Sequence, residues 1–341
     1  MFRRNQMESI ILMNSKWGND MFVPMYLFFG GLSGGLFVVA VAADLIGIKL
    51  KQFDNFSKIT SILCLPVLAL AGAFIAFHLG KPERGILFPF FFKNYNSWLV
   101  IGGWSVGLAV PLVVAYAAMW HYKVNQTYRR IVGVIGMPLL AFVSFYTGLL
   151  LSGAMFVPLW SMEFLPYLFL NSGVLTGLAG SGLVYILYQA FFNQNLSKSE
   201  DTSKIMSVLG YLILVFIFIE LVEIQMFMDY LASNPIKDDN SGLFIAPNGS
   251  EFVYAYVTQG ALSSWFWWGI IGLGLTLPLV IGLIELIFEK VIETYKNWVS
   301  GFKFASILVG GVILRFVIVW GGDVKAPLAM PPALFQIPIG G

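Results

Sequence analysis

The stretch ITSILCLPVLALAGAFIAF, residues 59–77, carries no charged side chain and is followed directly by HLGKPERG, residues 78–85. Its length approaches the roughly 20 mostly apolar residues that an α-helix needs to cross the hydrocarbon core of a bilayer. The same pattern, an apolar run followed by a short polar loop, recurs along the chain. We therefore expect an all-α integral membrane protein with about eight transmembrane helices, at residues 23–46, 59–79, 97–120, 131–151, 166–192, 205–231, 263–288 and 302–320.

The composition agrees with this fold class. Of the 341 residues, 58% are hydrophobic and 11% are charged, and the mean hydropathy is +0.80, whereas soluble domains are about 25% charged. We expect membrane lipid as a partner and no nucleic acid, since the net charge is only +2. The single cysteine, Cys64, excludes both an intrachain disulfide and an iron–sulfur cluster held by the chain's own thiolates, which needs about four of them. We predict no metal site and no cleaved signal peptide.

The histidines argue against a bound haem. The chain has two histidines, His78 and His121, and the predicted helix directions place them at opposite ends of the bundle. A bis-histidine haem is therefore excluded, and nothing in the sequence favours a histidine–methionine haem. The glycines of GGLSGG, residues 30–35, lie inside an apolar run without the Lys-Ser/Thr of a phosphate loop. Close packing between helices is the better interpretation of this motif.

Two of the predicted helices share a sequence pattern. SWLVIGGWSVGLAVPLV, residues 97–113, and SWFWWGIIGLGLTLPLV, residues 264–280, coincide at one fixed offset in Ser, Trp, two Gly, Leu, Pro, Leu and Val. We predict two similar four-helix halves in the same orientation, as in other membrane proteins with parallel repeats. The predicted segments are an N-terminal segment at 1–22, the halves at 23–151 and 166–320, and a C-terminal tail at 321–341.

The distribution of Lys and Arg predicts the orientation. The loops after the first, third, fifth and seventh helices each carry at least two of these cations. The loops on the other side carry fewer, although residues 1–22 and the HLGKPERG loop break the trend. Because positive loops favour the cytoplasmic side, we expect a multi-pass protein of the prokaryotic inner (cytoplasmic) membrane with both termini outside.

Polar residues inside the apolar helices are costly and usually functional or paired. Most of them fall toward the predicted outer ends of their helices, and Glu220 and Glu223 share a helix face because they are three residues apart. This asymmetry indicates a polar pocket that opens on the outer face. The alternative is that Arg315 pairs with one of these glutamates only to hold two helices together. The candidate pocket residues are Tyr26, His78, Tyr146, Asn171, Thr176 and Arg315, and the candidate proton-transfer residues are Glu220 and Glu223.

Asp44 and Glu285 lie near the predicted inner ends of their helices. They are either interfacial side chains that extend toward water or further proton-transfer residues.

Several motifs in order resemble the polysulfide reductase membrane-subunit family, NrfD/PsrC. They are YLFFGGLSGG at 26–35, HLGKPER at 78–84, NSWLVIGGW at 96–104, FYTGLLLSG at 145–153 followed by PLW, and LRFVIVWGGD at 314–323. The resemblance covers most of the chain. It implies a haem-free helical bundle that exchanges electrons with a quinone, menaquinone or ubiquinone. It also implies that the bundle anchors a ferredoxin-like four-cluster iron–sulfur subunit and, in many members, a molybdopterin catalytic subunit.

The resemblance implies that the HLGKPERG loop docks the partner subunit through Lys81, Glu83 and Arg84. One departure is that some relatives have a quinone-contacting histidine where this chain has Tyr26. We consider three functions: a quinone-reactive subunit of a respiratory oxidoreductase, which we favour; a secondary transporter with a polar site between the repeats; and a purely structural anchor. Only the first requires both a buried carboxylate pair and a partner that carries the electrons.

Overall fold

The computed structural model describes residues 21–78, 94–154, 157–192, 200–233, 249–287 and 296–322. Within them the chain forms helices joined by turns, and eight helical segments are long and apolar enough to cross a membrane. This confirms the all-α membrane fold, because a helix satisfies its own backbone hydrogen bonds in lipid. The elements are α1 (Phe22–Ile46), α2 (Gln52–His78), α3 (Trp98–His121), α4 (Gln126–Ser152), α5 (Leu165–Phe192), α6 (Glu200–Ser233), α7 (Gly249–Thr258), the π-helix π1 (Trp265–Thr276), α8 (Leu277–Ile287) and α9 (Lys296–Gly321).

Four helices begin five or more residues earlier than the apolar pattern predicts, and α6 at Glu200 and α9 at Lys296 are two of them. α2 begins at Gln52 and α4 at Gln126, because polar first turns extend both helices beyond the hydrophobic run. The start of α4 is fixed by Asn125, whose side chain accepts a hydrogen bond from the Thr127 backbone N–H at 2.9 Å. The predicted loop between the sixth and seventh spans also contains a helix, α7, which the apolar pattern did not predict.

α1 and α5 form the centre of the bundle. α1 packs against α2, α4, α5 and α9, and α5 packs against α4, α6 and α9 as well. A Cβ atom added at Gly35 would lie 1.9 Å from the Gly173 carbonyl oxygen, so the two central helices touch backbone to backbone. The structure thus confirms that GGLSGG is a helix-packing motif.

The seventh span changes helix type along its length. Its first part is the π-helix π1, and α8 continues it as a regular α-helix. A Cβ atom added at Gly310 of α9 would lie 2.2 Å from the Gly274 Cα atom, so π1 and α9 are also in backbone contact. π-Helical turns are rare and frequently occur at functional sites, and this one lies beside the cluster described below.

The helix ends define the two ends of the bundle. At the first end α1 begins and α2 ends, with the Phe22 and Phe77 rings 6.1 Å apart. At the second end α1 ends and α2 begins, with the Ser57 hydroxyl donating to the Ala40 carbonyl at 2.6 Å. In the predicted repeat α1 corresponds to α5 and α4 corresponds to α9, so the contact of α1 with α4 corresponds to the contact of α5 with α9. The two halves and their boundaries remain a prediction.

Candidate functional site

Arg315 of α9 is a buried cation, with only 1% of its surface exposed. Its Nη1 donates to the Ser172 hydroxyl at 3.0 Å, and its Nη2 faces the Phe169 carbonyl oxygen at 3.4 Å. The guanidinium carbon also lies 4.1 Å from the centre of the Phe169 ring, a cation–π contact. Two adjacent turns of α5 therefore hold this side chain in place.

Ser172 lies between Arg315 and the carboxylate of Glu220. Glu220 of α6 is 3% exposed, and its carboxylate interacts with the Ser172 hydroxyl and with the charge of Arg315. One hydroxyl can accept from an arginine and donate to a carboxylate at the same time. In the described part of the chain Arg315 and Glu220 form no direct ion pair, and Ser172, which accepts from Arg315, lies next to both.

Asn171 and Glu223 continue this contact between α5 and α6. The Asn171 side-chain amide donates to the Phe216 carbonyl at 3.2 Å and interacts with the Glu223 carboxylate. Glu220 and Glu223 both face α5, as their spacing of three residues predicts. We call Asn171, Ser172, Glu220, Glu223 and Arg315 the Arg315 cluster.

The Arg315 cluster has unused hydrogen-bonding capacity. Glu220 Oε2, Glu223 Oε2 and Arg315 Nε are buried and accept or donate no hydrogen bond among the described residues. A cavity with room for about one water molecule adjoins Glu220 and Ser172 of the cluster. Because buried polar atoms almost always have partners, the cluster fits water or polar ligand groups at these three atoms. The cavity is lined by Ser172, Thr176, Glu220, Gly274, Gly310 and Gly311, among others.

Tyr26 and Tyr146 form a second polar group, between α1, α3 and α4. Both are buried, and their side chains interact with each other. A Cβ atom added at Gly102 of α3 would lie 2.1 Å from the Tyr146 hydroxyl oxygen. The glycine in the motif NSWLVIGGW therefore leaves the space that this tyrosine occupies.

α1 contacts both groups through adjacent glycines. An added Cβ atom at Gly30 would lie 3.5 Å from Thr147, next to Tyr146, and one at Gly31 would lie 3.3 Å from Arg315 Nη2. The predicted residues Arg315, Asn171, Glu220 and Glu223 are thus assembled in one place.

Thr176 lies next to this cluster, where it lines the cavity. Tyr26 and Tyr146 lie on the α3 and α4 side of α1 and do not line that cavity. His78 is the half-buried last residue of α2 at the first end. The single quinone pocket containing all six residues stays a prediction.

Asp44 lies at the second end and is 1% exposed, so it does not extend toward the membrane surface. Arg129 donates to its carboxylate from Nε at 2.8 Å and from Nη2 at 2.7 Å. Arg130 donates from Nε at 3.1 Å and Tyr116 from its hydroxyl at 3.0 Å. The carboxylate joins the end of α1 to α3 and α4, and its predicted role in proton transfer is untested.

Glu285 also lies at the second end, in a buried ion pair. Its carboxylate accepts from the Ser300 hydroxyl at 2.7 Å and pairs with the Lys303 ammonium, which is 1% exposed. It borders a cleft between α6, α8 and α9. Its predicted proton-transfer role is likewise untested.

Ser172 and Lys303 were not among the residues predicted from the sequence. The hydroxyls of serines in membrane helices usually donate to the backbone of their own helix. Apart from its position next to Asn171, nothing in the sequence therefore indicated that Ser172 contacts another helix. Lys303 lies inside a predicted span, and its charge alone could have indicated a buried partner. The predicted docking residues Lys81, Glu83 and Arg84 lie outside the described residues.

Comparisons with known proteins identify the family of the chain. The family described as "Polysulphide reductase, NrfD" matches residues 12–327. The chain is 24% identical to one of the polysulfide reductase chains of Wolinella succinogenes, over 88% of this chain and 93% of the relative. It is 22% identical to one of the selenate reductase subunits of Mesobacillus selenatarsenatis, over 89% of this chain and 73% of the relative. It is 23% identical to protein NrfD of Escherichia coli, over 88% of this chain and 93% of the relative.

Proposed function

This chain belongs to the polysulphide reductase NrfD family, and from that premise we propose that it is a haem-free, quinone-reactive membrane subunit of a respiratory oxidoreductase. It exchanges electrons between a menaquinone or ubiquinone and an iron–sulfur partner subunit. The observation that carries the proposal is the Arg315 cluster, with its buried, unpartnered glutamate oxygens. A passive anchor has no need for these polar atoms inside apolar helices.

The partners follow from the relatives. The Wolinella and Mesobacillus relatives are named as parts of a polysulfide reductase and a selenate reductase, so this chain assembles with a catalytic subunit. We propose a ferredoxin-like four-cluster iron–sulfur subunit as the direct electron partner and a molybdopterin protein as the catalytic one. They dock at the first end of the bundle, close to the Arg315 cluster. This end faces the outside of the prokaryotic inner membrane.

A bound quinol supplies two electrons and two protons when it is oxidised. In this chain the Oε2 atoms of Glu220 and Glu223 are positioned to accept protons, since neither has a hydrogen-bond partner among the described residues. Arg315 fixes the position of Ser172, and Ser172 in turn fixes Glu220. General bases of this kind act over a direct hydrogen bond or through one water molecule.

The cavity limits how each glutamate takes part. It has room for about one water molecule, which is far smaller than a quinone ring. We therefore assign the contact with the headgroup to the half-buried Glu223 and the water-linked proton acceptance to the fully buried Glu220. The proposed hydrogen-bond partners of the headgroup oxygens are the six pocket residues: Asn171, Thr176 and Arg315 next to the glutamates, and Tyr26, Tyr146 and His78.

The proposal is tested by gentle purification of the tagged chain from its own membranes. Co-purifying subunits are identified, and bound quinone, iron, molybdenum and haem absorption are measured on the same sample. We expect an iron–sulfur subunit and quinone, without haem absorption. A chain that purifies alone without quinone, and that supports uptake of a solute in vesicles, would instead establish the transporter.

A further inference from the structure

A cleft opens at the second end of the bundle, where α3 turns into α4. It has a volume of about 490 Å³. Its wall contains backbone and side chains of the turn together with three cations. We call it the turn cleft, and its main lining residues are Trp120, Lys123, Asn125, Thr127, Arg129 and Arg130. None of them belongs to the Arg315 cluster.

The charges around the turn cleft do not balance. Lys123, Arg129 and Arg130 line it, and the carboxylate that meets them is Asp44, which accepts from both arginines. Even with Asp54 of the neighbouring α1–α2 turn included, three cations face two carboxylates. Lys123 is exposed, so it adds one positive charge at the mouth of the cleft beyond the two arginines and two carboxylates, and an anion in the cleft would meet that charge.

Arg130 is the arginine with hydrogen-bonding capacity left for that anion, because its side chain is 17% exposed and lines the cleft. Its Nε donates to the Asp44 carboxylate at 3.1 Å, but its buried Nη2 has no hydrogen-bond partner in the described ranges. Arg129, by contrast, uses Nε and Nη2 on Asp44 and stacks its guanidinium 3.4 Å above the Trp120 ring. Arg129 is therefore fully engaged by Asp44 and Trp120, while the partly exposed Arg130 keeps unused hydrogen-bonding capacity beside the cleft.

The backbone of the turn adds further positive potential. α4 begins at Gln126, so the positive end of its dipole points into the cleft. Lys123 has a φ angle of 52°, and this left-handed residue reverses the chain between the two helices. Its side chain is exposed and is not part of the Asp44 network.

The depth of the cleft in the membrane indicates the kind of anion. Tyr122 and Tyr128 flank the turn and are 76% and 64% exposed. Exposed tyrosines at the ends of transmembrane helices lie at the level of the lipid headgroups. Basic pockets at this level bind anionic headgroups, whereas a free ion would have to leave bulk water.

We propose that the turn cleft binds the phosphate headgroup of an anionic phospholipid, through the Arg130 guanidinium, Lys123 and the N-terminal end of α4. A zwitterionic lipid offers the same phosphate, but it carries its own cation next to it. The excess positive charge of the cleft therefore selects the anionic lipid. This site is separate from the quinone chemistry and is unaffected if that proposal fails.

The test is native mass spectrometry of the protein, with whatever subunits accompany it, released from nanodiscs of equal phosphatidylglycerol and phosphatidylcholine. We expect retained phosphatidylglycerol on the wild type, and about fivefold less on Lys123→Gln, since one cation near an anionic surface has about this effect. Arg130→Gln should lose at least as much. Lys51→Gln removes an exposed cation at the same end and should change nothing.

Three outcomes would overturn the proposal. One is equal retention of the two lipids by the wild type, and another is unchanged retention in Lys123→Gln, which leaves the Asp44 network intact. The third is displacement of the retained lipid by inorganic phosphate at the same concentration as a short-chain phosphatidylglycerol, which would identify a site for soluble phosphate.

Discussion

Arg315 and Ser172 are 143 residues apart in sequence, yet the arginine Nη1 donates to the serine hydroxyl at 3.0 Å inside the bundle. This contact joins α9 to the central helix α5 at the point where Glu220 of α6 also meets it. Side chains of three helices thus meet at Ser172. The relationship explains how an arginine and a glutamate can be buried together without forming a direct ion pair.

Ser172→Ala removes the link between these charges. We expect turnover with quinol to fall roughly five- to a hundredfold, since a buried polar group left without its partner costs roughly 1–3 kcal/mol and about 1.4 kcal/mol is a factor of ten in rate. The control is Ser181→Ala in the same helix, whose hydroxyl only bonds back to Leu178. Equal rates in the two variants would show that Ser172 has no role beyond packing.

Tyr146→Phe keeps the ring that packs on Gly102 and removes the hydroxyl that interacts with Tyr26. If this hydroxyl contacts the quinone, turnover falls while the assembled complex is recovered in normal yield. Tyr211→Phe, at an exposed tyrosine, is the control. A Tyr146→Phe variant with wild-type turnover would remove the tyrosine pair from the proposed site.

Gly35→Ala tests the contact between the two central helices. Its Cβ atom would meet the Gly173 carbonyl oxygen, which is backbone and cannot rotate away. We expect a loss of about 1–3 kcal/mol in stability, as in other overpacked cores, seen as a lower unfolding temperature in detergent. Gly72→Ala in α2, with nothing within 4 Å of its added Cβ, should be neutral or stabilising, because Ala is the better helix former. Similar losses in both variants would contradict the backbone contact.

Lys303→Met breaks the buried pair with Glu285. Leaving one buried charge without its partner costs about 3–5 kcal/mol, and we expect the lower end because Glu285 keeps its bond to Ser300. The double variant Lys303→Met/Glu285→Leu should recover much of the loss, measured by equilibrium unfolding in detergent. Additive losses in the double variant would mean that the two charges do not stabilise each other.

The sequence predicted the helices because hydrophobic runs of membrane length have few other solutions. It placed the starts of α2, α4, α6 and α9 five or more residues too late, since the first turns of these helices contain polar residues. It could not predict that the span beginning at Trp265 starts as a π-helix, nor that Gly274 in it meets Gly310 backbone to backbone. Backbone contacts of this kind depend on how two helices meet in space.

The candidate site was predicted in part. The cost of a charge in lipid indicated Glu220, Glu223 and Arg315, and the structure brings them together beside Asn171. The arrangement of the tyrosines on the other side of α1 was not predictable, because helix spacing gives the face of a residue but not which neighbour that face meets. Ser172 was missed for the same reason.

The most direct test of the central claim is the steady-state rate of quinol-linked turnover in the purified complex with Glu220→Gln, measured beside Glu223→Gln. We expect a fall of about a hundredfold or more in each, the typical contribution of a general base, with the subunits still assembled. Asp229→Asn, at an exposed carboxylate of the same helix, should keep the wild-type rate. Wild-type turnover in both glutamate variants would contradict the quinone-reactive role and leave the chain as a structural anchor.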